Sequence, residues 1–250
     1  MNPAVVRAPL LLLHGFAGGP FAWDRVISML SSERRILRPA LLGHGADALE
    51  AKGASFEDEV ERIAAQVRNA GLHGVHVCGY SLGGRVALGL LARHGHLFAR
   101  ATLIGVNPGL ATVREREERL AADERWIERL RRDGVEAFLD AWEEQPLFAS
   151  QRGLAPEALA EQRSLRRQHS VAGLARAMEV LGLARMPNYW EDLPRMAIPV
   201  TLMVGADDAK FLALAHAMAP RLAAATTVVV PGAGHNVVLE KPSAVVQALE

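Results

Sequence analysis

Gly79-Tyr80-Ser81-Leu82-Gly83 constrains this chain more than any other stretch. It is a G-x-S-x-G pentapeptide set between two apolar segments. Val75-His76-Val77-Cys78 precedes it, and Gly84-Arg85-Val86-Ala87-Leu88-Gly89-Leu90-Leu91 follows with helical character. Strand, sharp turn and helix in that order form a nucleophile elbow. The flanking glycines let strand and helix approach without a Cβ clash. The turn lifts the serine hydroxyl above the sheet end and aims a helix N-terminus at the reaction centre.

A serine raised this way needs a base and an acid, which in this architecture follow in the order serine, acid, histidine. Pro199 to Val204 reads as a buried strand ending in Gly205-Ala206-Asp207-Asp208. Thr226 to Val230 reads as the next strand, ending in Pro231-Gly232-Ala233-Gly234-His235-Asn236. An acid and a histidine thus each follow a strand, at the edge where open parallel sheets build sites. His235 is the expected base. Its competitors have plainer roles: His94 and His96 end the elbow helix, His73 and His76 flank or lie in the preceding strand, and His14 and His44 sit in glycine loops. The acid is Asp207 or Asp208. The one not used is a solvated turn carboxylate, or an N-cap for the helix beginning near Lys210. An oxyanion hole needs two backbone N–H groups. Leu82 supplies one. Phe16, in the loop after the strand Pro9 to Leu13, supplies the other.

The chain has 250 residues, half of them hydrophobic, which suffices for one large α/β domain. Formal net charge is zero, so neither nucleic acid nor an anionic membrane is implied as a partner. All but three of the 28 basic residues (Lys52, Lys210 and Lys241) are arginines, suited to binding carboxylates in pairs of hydrogen bonds. The single cysteine, Cys78, excludes an internal disulfide and reads as a buried strand residue. No apolar run is long enough to span a bilayer, and Leu10 to Leu13 is too short for a signal segment. A cytoplasmic location is expected.

Strand and helix patterns alternate from Leu10 to about Ile104, with Ile36 to Leu42 as a strand and Phe56 to Val67 as an amphipathic helix. From about Leu110 to Trp190 the chain is helical and charged, and from Pro199 the alternation resumes. The expected organisation is a core of 1–106 and 191–250 with a helical cap, 107–190. The cap's Trp126, Phe138, Leu139, Trp142 and Phe148 give it apolar faces to bury. Its arginines at 114, 116, 119, 125, 129, 131 and 132 interleave with acids and read as a solvated, salt-bridged face. Arg85 is different. It lies one turn past Ser81, where a cation suggests an anionic ligand.

Several motifs together resemble the 2-succinyl-6-hydroxy-2,4-cyclohexadiene-1-carboxylate synthases of menaquinone biosynthesis, a family within the α/β-hydrolase fold. They are Leu13-His14-Gly15-Phe16, Leu42-Gly43-His44-Gly45, the elbow through Ala87, and Asn107-Pro108-Gly109-Leu110. Further along come Trp142-Glu143-Glu144-Gln145-Pro146-Leu147-Phe148, Gly205 to Phe211 and Gly234-His235-Asn236. The elbow and histidine motifs are general to the fold. Tyr80, Arg85, the Trp-x-x-Gln-Pro-x-Phe motif and Asp-x-Lys-Phe are more specific. Leu42 departs from the proline usual before Gly-His-Gly.

The resemblance implies an α/β-hydrolase fold, a mostly parallel central sheet flanked by helices, with an inserted helical cap. It implies a lyase that eliminates pyruvate from a succinyl-cyclohexene carboxylate, with Ser81, Asp208 and His235 catalytic and Phe16 and Leu82 as the oxyanion hole. Tyr80, Arg85, Arg119, Trp142 and Arg166 carry over as substrate-binding residues. The substrate is a small anion, and neither a metal nor a cofactor is called for. A monomer or small homo-oligomer is expected. A carboxylesterase forming an acyl-serine is the alternative. A non-catalytic binding protein on a retained fold is a third reading, against which an intact Ser81, Asp208 and His235 argue.

Overall fold

A computed structural model describes residues 7–31, 34–45 and 55–250. The chain opens with β1 (Leu10–Leu13), a 3-10 turn (Pro20–Trp23), α1 (Asp24–Ser28) and β2 (Ile36–Leu37). Then come α2 (Phe56–Asn69), β3 (Val75–Tyr80), α3 (Leu82–His94) and β4 (Phe98–Ile104). Three helices follow before the sheet resumes: α4 (Val113–Glu143), α5 (Pro156–Arg166) and α6 (Val171–Leu181). The chain closes with β5 (Val200–Gly205), α7 (Ala209–Met218), β6 (Ala225–Val230), α8 (Val237–Glu240) and α9 (Pro242–Leu249).

The described strands form one sheet in the order β2-β1-β3-β4-β5-β6, and every pairing is parallel. Parallel strands need both faces covered, so successive side chains feed two cores. Leu11, Leu13 and Val77 face the core under α2 and α3. Leu10, Leu12, Cys78 and Ile104 face the one built with Trp23, Val237 and Val245.

Ile36 to Leu42 is not a full strand; only Ile36 and Leu37 pair with β1. Pro39 has no N–H to give a ladder. Beyond it the backbone is bound by side chains: Leu41 N–H donates to His14 Nε2 (3.1 Å) and Leu42 N–H to Glu59 Oε1 (2.9 Å).

Strand order reverses direction between β1 and β3, which are neighbours although β2 lies between them in sequence. Register pairs Leu13 with Gly79, so the loop after β1 lies beside the turn after β3. Such switch points are where ligand sites form in open α/β sheets. The α4–α6 segment reaches this edge through a third apolar cluster, where Phe16 and Ala17 pack with Ile127, Phe138, Leu174 and Met178. Among the described residues, no helix is long and apolar enough to cross a membrane.

Candidate active site

Ser81 has φ +51° and ψ −107°, a backbone conformation costly to a side-chain-bearing residue. Neighbouring bonds hold it there. Its N–H donates to Ile104 O (2.9 Å), and its carbonyl accepts from Arg85 N–H (3.0 Å). The close crossing requires glycine: a Cβ on Gly79 would lie 2.5 Å from Gly83 O, and one on Gly83 would lie 2.1 Å from Leu13 O.

His235 Nδ1 lies 2.7 Å from Asp208 Oδ2, and its Nε2 lies 3.0 Å from Ser81 Oγ. A carboxylate only accepts, so Nδ1 carries the proton and Nε2 faces the serine hydroxyl as an acceptor. The histidine and aspartate are both buried. The Phe211 ring lies against the imidazole at 4.4 Å between centroids. Asp208 also N-caps α7, its Oδ1 accepting from Phe211 N–H (3.2 Å). The cap is therefore Asp208 itself, not the unused neighbour, and Asp207 is exposed. One carboxylate does both jobs because it has two oxygens.

The loop after β1 turns tightly, with Gly18 N–H donating to Gly15 O (3.0 Å). Phe16 occupies the second position of that turn, whose N–H takes no part in closing it. Ala17 follows in the left-handed region (φ +54°), and its N–H donates to the buried His44 Nε2 (2.9 Å). His44 Nδ1 in turn donates to Leu42 O (3.0 Å). Leu82 is the first residue of α3, so its N–H is among those with no intrahelical acceptor.

A cavity of about 280 Å³ opens over Ser81 and His235. Phe16, Leu82, Arg85, Arg119 and Trp142 line it. So do Asn107, Asp123, Gln145 and Lys210, which sequence reasoning did not single out as site residues. The size admits a small organic molecule, not a polymer. Three cations against one carboxylate make the wall net positive. Burial, and then the nearby Arg119 charge, push the Arg85 guanidinium down to about 9, so it stays charged at neutral pH. Arg85 Nη1 donates to Leu181 O (2.7 Å) at the end of α6. Arg119 Nε donates to Asp123 Oδ1 (2.9 Å), one helical turn on.

Tyr80 and Arg166 lie elsewhere. They line a neighbouring cavity with His14, Phe21 and Gln162, while Phe16 borders both. Arg166 is buried and donates to Glu143 Oε1 (2.7 Å), and the Tyr80 ring packs 5.4 Å from that of His235. Asp123 could have been found as the i+4 partner of Arg119, and Gln145 sits inside the motif begun by Trp142. Asn107 opens the motif Asn107-Pro108-Gly109-Leu110, and Lys210 lies within Asp-x-Lys-Phe.

The family described as the alpha/beta hydrolase family matches residues 10–248. The chain belongs to the alpha/beta hydrolase family. It is similar to the putative 2-succinyl-6-hydroxy-2,4-cyclohexadiene-1-carboxylate synthase of Bacillus subtilis, 34% identical over 93% of this chain and 85% of that protein. It is 37% identical to the synthase of the same name from Serratia proteamaculans, over 95% of this chain and 90% of the relative. Among solved structures, MenH from S. aureus superposes with a TM-score of 0.92 at 26% identity, covering 97% of this chain and 91% of that one. A thermophilic esterase from Thermogutta terrifontis, solved with malate bound, superposes with a TM-score of 0.79 at 27% identity over 97% and 88%.

Proposed function

We propose that this hydrolase-family chain is a lyase that eliminates pyruvate from a succinyl-cyclohexene carboxylate, as a 2-succinyl-6-hydroxy-2,4-cyclohexadiene-1-carboxylate synthase. The carrying observation is the Ser81–His235–Asp208 hydrogen-bond chain opening onto a cavity walled by Arg85 and Arg119. Near full-length similarity to proteins of that name supports the reading.

The step begins with a proton α to a substrate carbonyl. Ser81 Oγ takes that proton as His235 Nε2 takes the hydroxyl proton, and Asp208 stabilises the imidazolium. Negative charge develops on the carbonyl oxygen, within reach of the Phe16 and Leu82 N–H groups. The electron pair then moves into the ring and expels the enolpyruvyl oxygen. The proton on His235 goes to the departing group, which leaves as pyruvate. Protons and electron pairs balance between substrate and products, so the step needs no oxidant. Arg85 and Arg119 hold carboxylates of the substrate, and Trp142 walls its ring. Residues 107–190 act as the cap over it. Tyr80 and Arg166 bind substrate parts that extend past Phe16. A cytoplasmic setting fits the single, buried Cys78.

Ester hydrolysis through an acyl-Ser81 is the second reading, favoured by the likeness to a solved esterase. Pyruvate release from the enolpyruvyl substrate, assayed beside short-ester hydrolysis, separates the two. The lyase reading expects pyruvate release that falls about 10³-fold or more in Ser81→Ala. Burst-phase ester turnover with no pyruvate above the uncatalysed rate would overturn it.

A further inference from the structure

Glu240 stands outside the Ser81 cavity, yet it holds the loop that carries His235. Its Oε2 accepts from Gly234 N–H (2.8 Å) and its Oε1 from Asn236 N–H (3.1 Å), the residues on either side of the histidine. The short helix α8 makes this possible. One turn after Asn236 it returns the chain, and Glu240 N–H donates to Asn236 O (2.9 Å). The carboxylate is thereby folded back under the loop. It is nine-tenths buried, so both bonds form away from solvent.

A charged acceptor makes shorter, stronger bonds than a neutral one. Two of them, one before and one after residue 235, fix the backbone that sets where the imidazole stands. Other neighbours leave that backbone little choice of path. A Cβ on Gly234 would lie 2.1 Å from Ser150 Oγ, and one on Gly205 would lie 2.1 Å from Gly234 O. Asn236 spends its side chain on α8, its Oδ1 accepting from Leu239 N–H (3.2 Å), and so offers the loop no acceptor.

We propose that Glu240 is a positioning residue that keeps His235 Nε2 within proton-transfer distance of Ser81. This rests on the Ser81–His235 relay proposed above. Glutamine at 240 keeps the volume but offers only one acceptor oxygen, so its NH2 group opposes one of the two backbone N–H groups. Alanine removes both acceptors.

The test is the rate at which a fluorophosphonate modifies Ser81, followed by intact mass, in wild type, Glu240→Gln, Glu240→Ala and Ser81→Ala, with melting temperatures measured in parallel. Steady-state pyruvate release accompanies it. Labelling should slow about 10-fold in Glu240→Gln and further in Glu240→Ala, with kcat falling while KM holds. Both effects should appear well below each variant's melting temperature. Folded variants that label and turn over at the wild-type rate would overturn the proposal, even if they melt earlier. A wild type labelled no faster than Ser81→Ala would instead overturn the relay itself, and the role of Glu240 with it.

Discussion

Gly105 has φ +58°, and a Cβ built there would stand 2.9 Å from His235 Cε1 and 3.0 Å from its Nδ1. Gly105→Ala thus meets two penalties: a left-handed backbone disfavoured for alanine, and a methyl group driven against the imidazole. A shift of about 1 Å in a proton-transfer group costs on the order of 10²-fold in rate. The expected outcome is a kcat lowered about 10- to 100-fold with KM little changed, read by steady-state kinetics. Arg119 tests the opposite property. It faces the cavity, with its Nε spent on Asp123. Arg119→Met should raise KM for the anionic substrate by about 10-fold or more, the worth of a charge-assisted hydrogen bond. Hydrolysis of a neutral activated ester should hardly change. Equal losses on both substrates would mean that Arg119 supports the fold and not the ligand. Asp123 is buried with Oδ2 unpartnered, so this variant should also lose stability.

At the scale of elements, α4 is two helices joined at Gly134, whose φ of +79° and ψ of 176° are open to glycine alone. The first part carries Arg119, Asp123 and Trp126. The second carries Phe138 and Trp142. Rings meet across the kink, Trp126 with Trp142 at 5.1 Å and with Phe138 at 5.6 Å, and Phe138 stacks on Trp142 at 5.5 Å within the second part. A Cβ at 134 meets nothing within 4 Å, so strain in Gly134→Ala comes only from the backbone. A cost of about 1–3 kcal/mol is expected, lowering the melting temperature by several degrees, with KM raised as Trp142 leaves the cavity wall. An unchanged KM would detach Trp142 from binding. The sheet order and its helices were largely readable because apolar runs, glycine turns and strand ends repeat at regular spacing. The same regularity put Ser81, Asp208 and His235 at strand ends, hence on one edge. The Gly134 kink was not readable, since charged and apolar positions continue through it at helical spacing. Nor could spacing show that Tyr80 and Arg166 line a cavity beyond Phe16. Tyr80 adjoins Ser81 in sequence, but alternation along β3 turns its ring to the other face of the sheet.

The whole molecule carries several histidines that folding keeps neutral. Burial lowers His14 and His76 to about 4, lowers His44 well below its ordinary value, and lowers His169 too. His14 and His44 accept backbone N–H groups at Nε2, and protonation would remove both acceptors. In the unfolded chain each histidine binds a proton near pH 6.5. The unfolded state therefore takes up more protons below that value, and the folded state loses ground as pH falls. The stability in question is complete above about pH 6.5 and drains away towards the lowered folded value near 4. Each such group contributes a slope of up to about 1.4 kcal/mol per pH unit in this window. Between pH 7.5 and 5.5, His14 and His76 alone should cost on the order of 3 kcal/mol. Five surface carboxylates stay clear of this range. Asp58, Glu61, Asp133, Glu136 and Glu250 are all held below their ordinary values by hydrogen bonds and ion pairs, so they titrate at lower pH. Urea unfolding at pH 7.5, 6.5 and 5.5 checks the prediction. A midpoint that falls steadily below pH 6.5 is expected, and His76→Gln should flatten the slope by about one histidine's share. A midpoint constant across the series would mean that these histidines take up protons in the folded state as readily as in the unfolded chain.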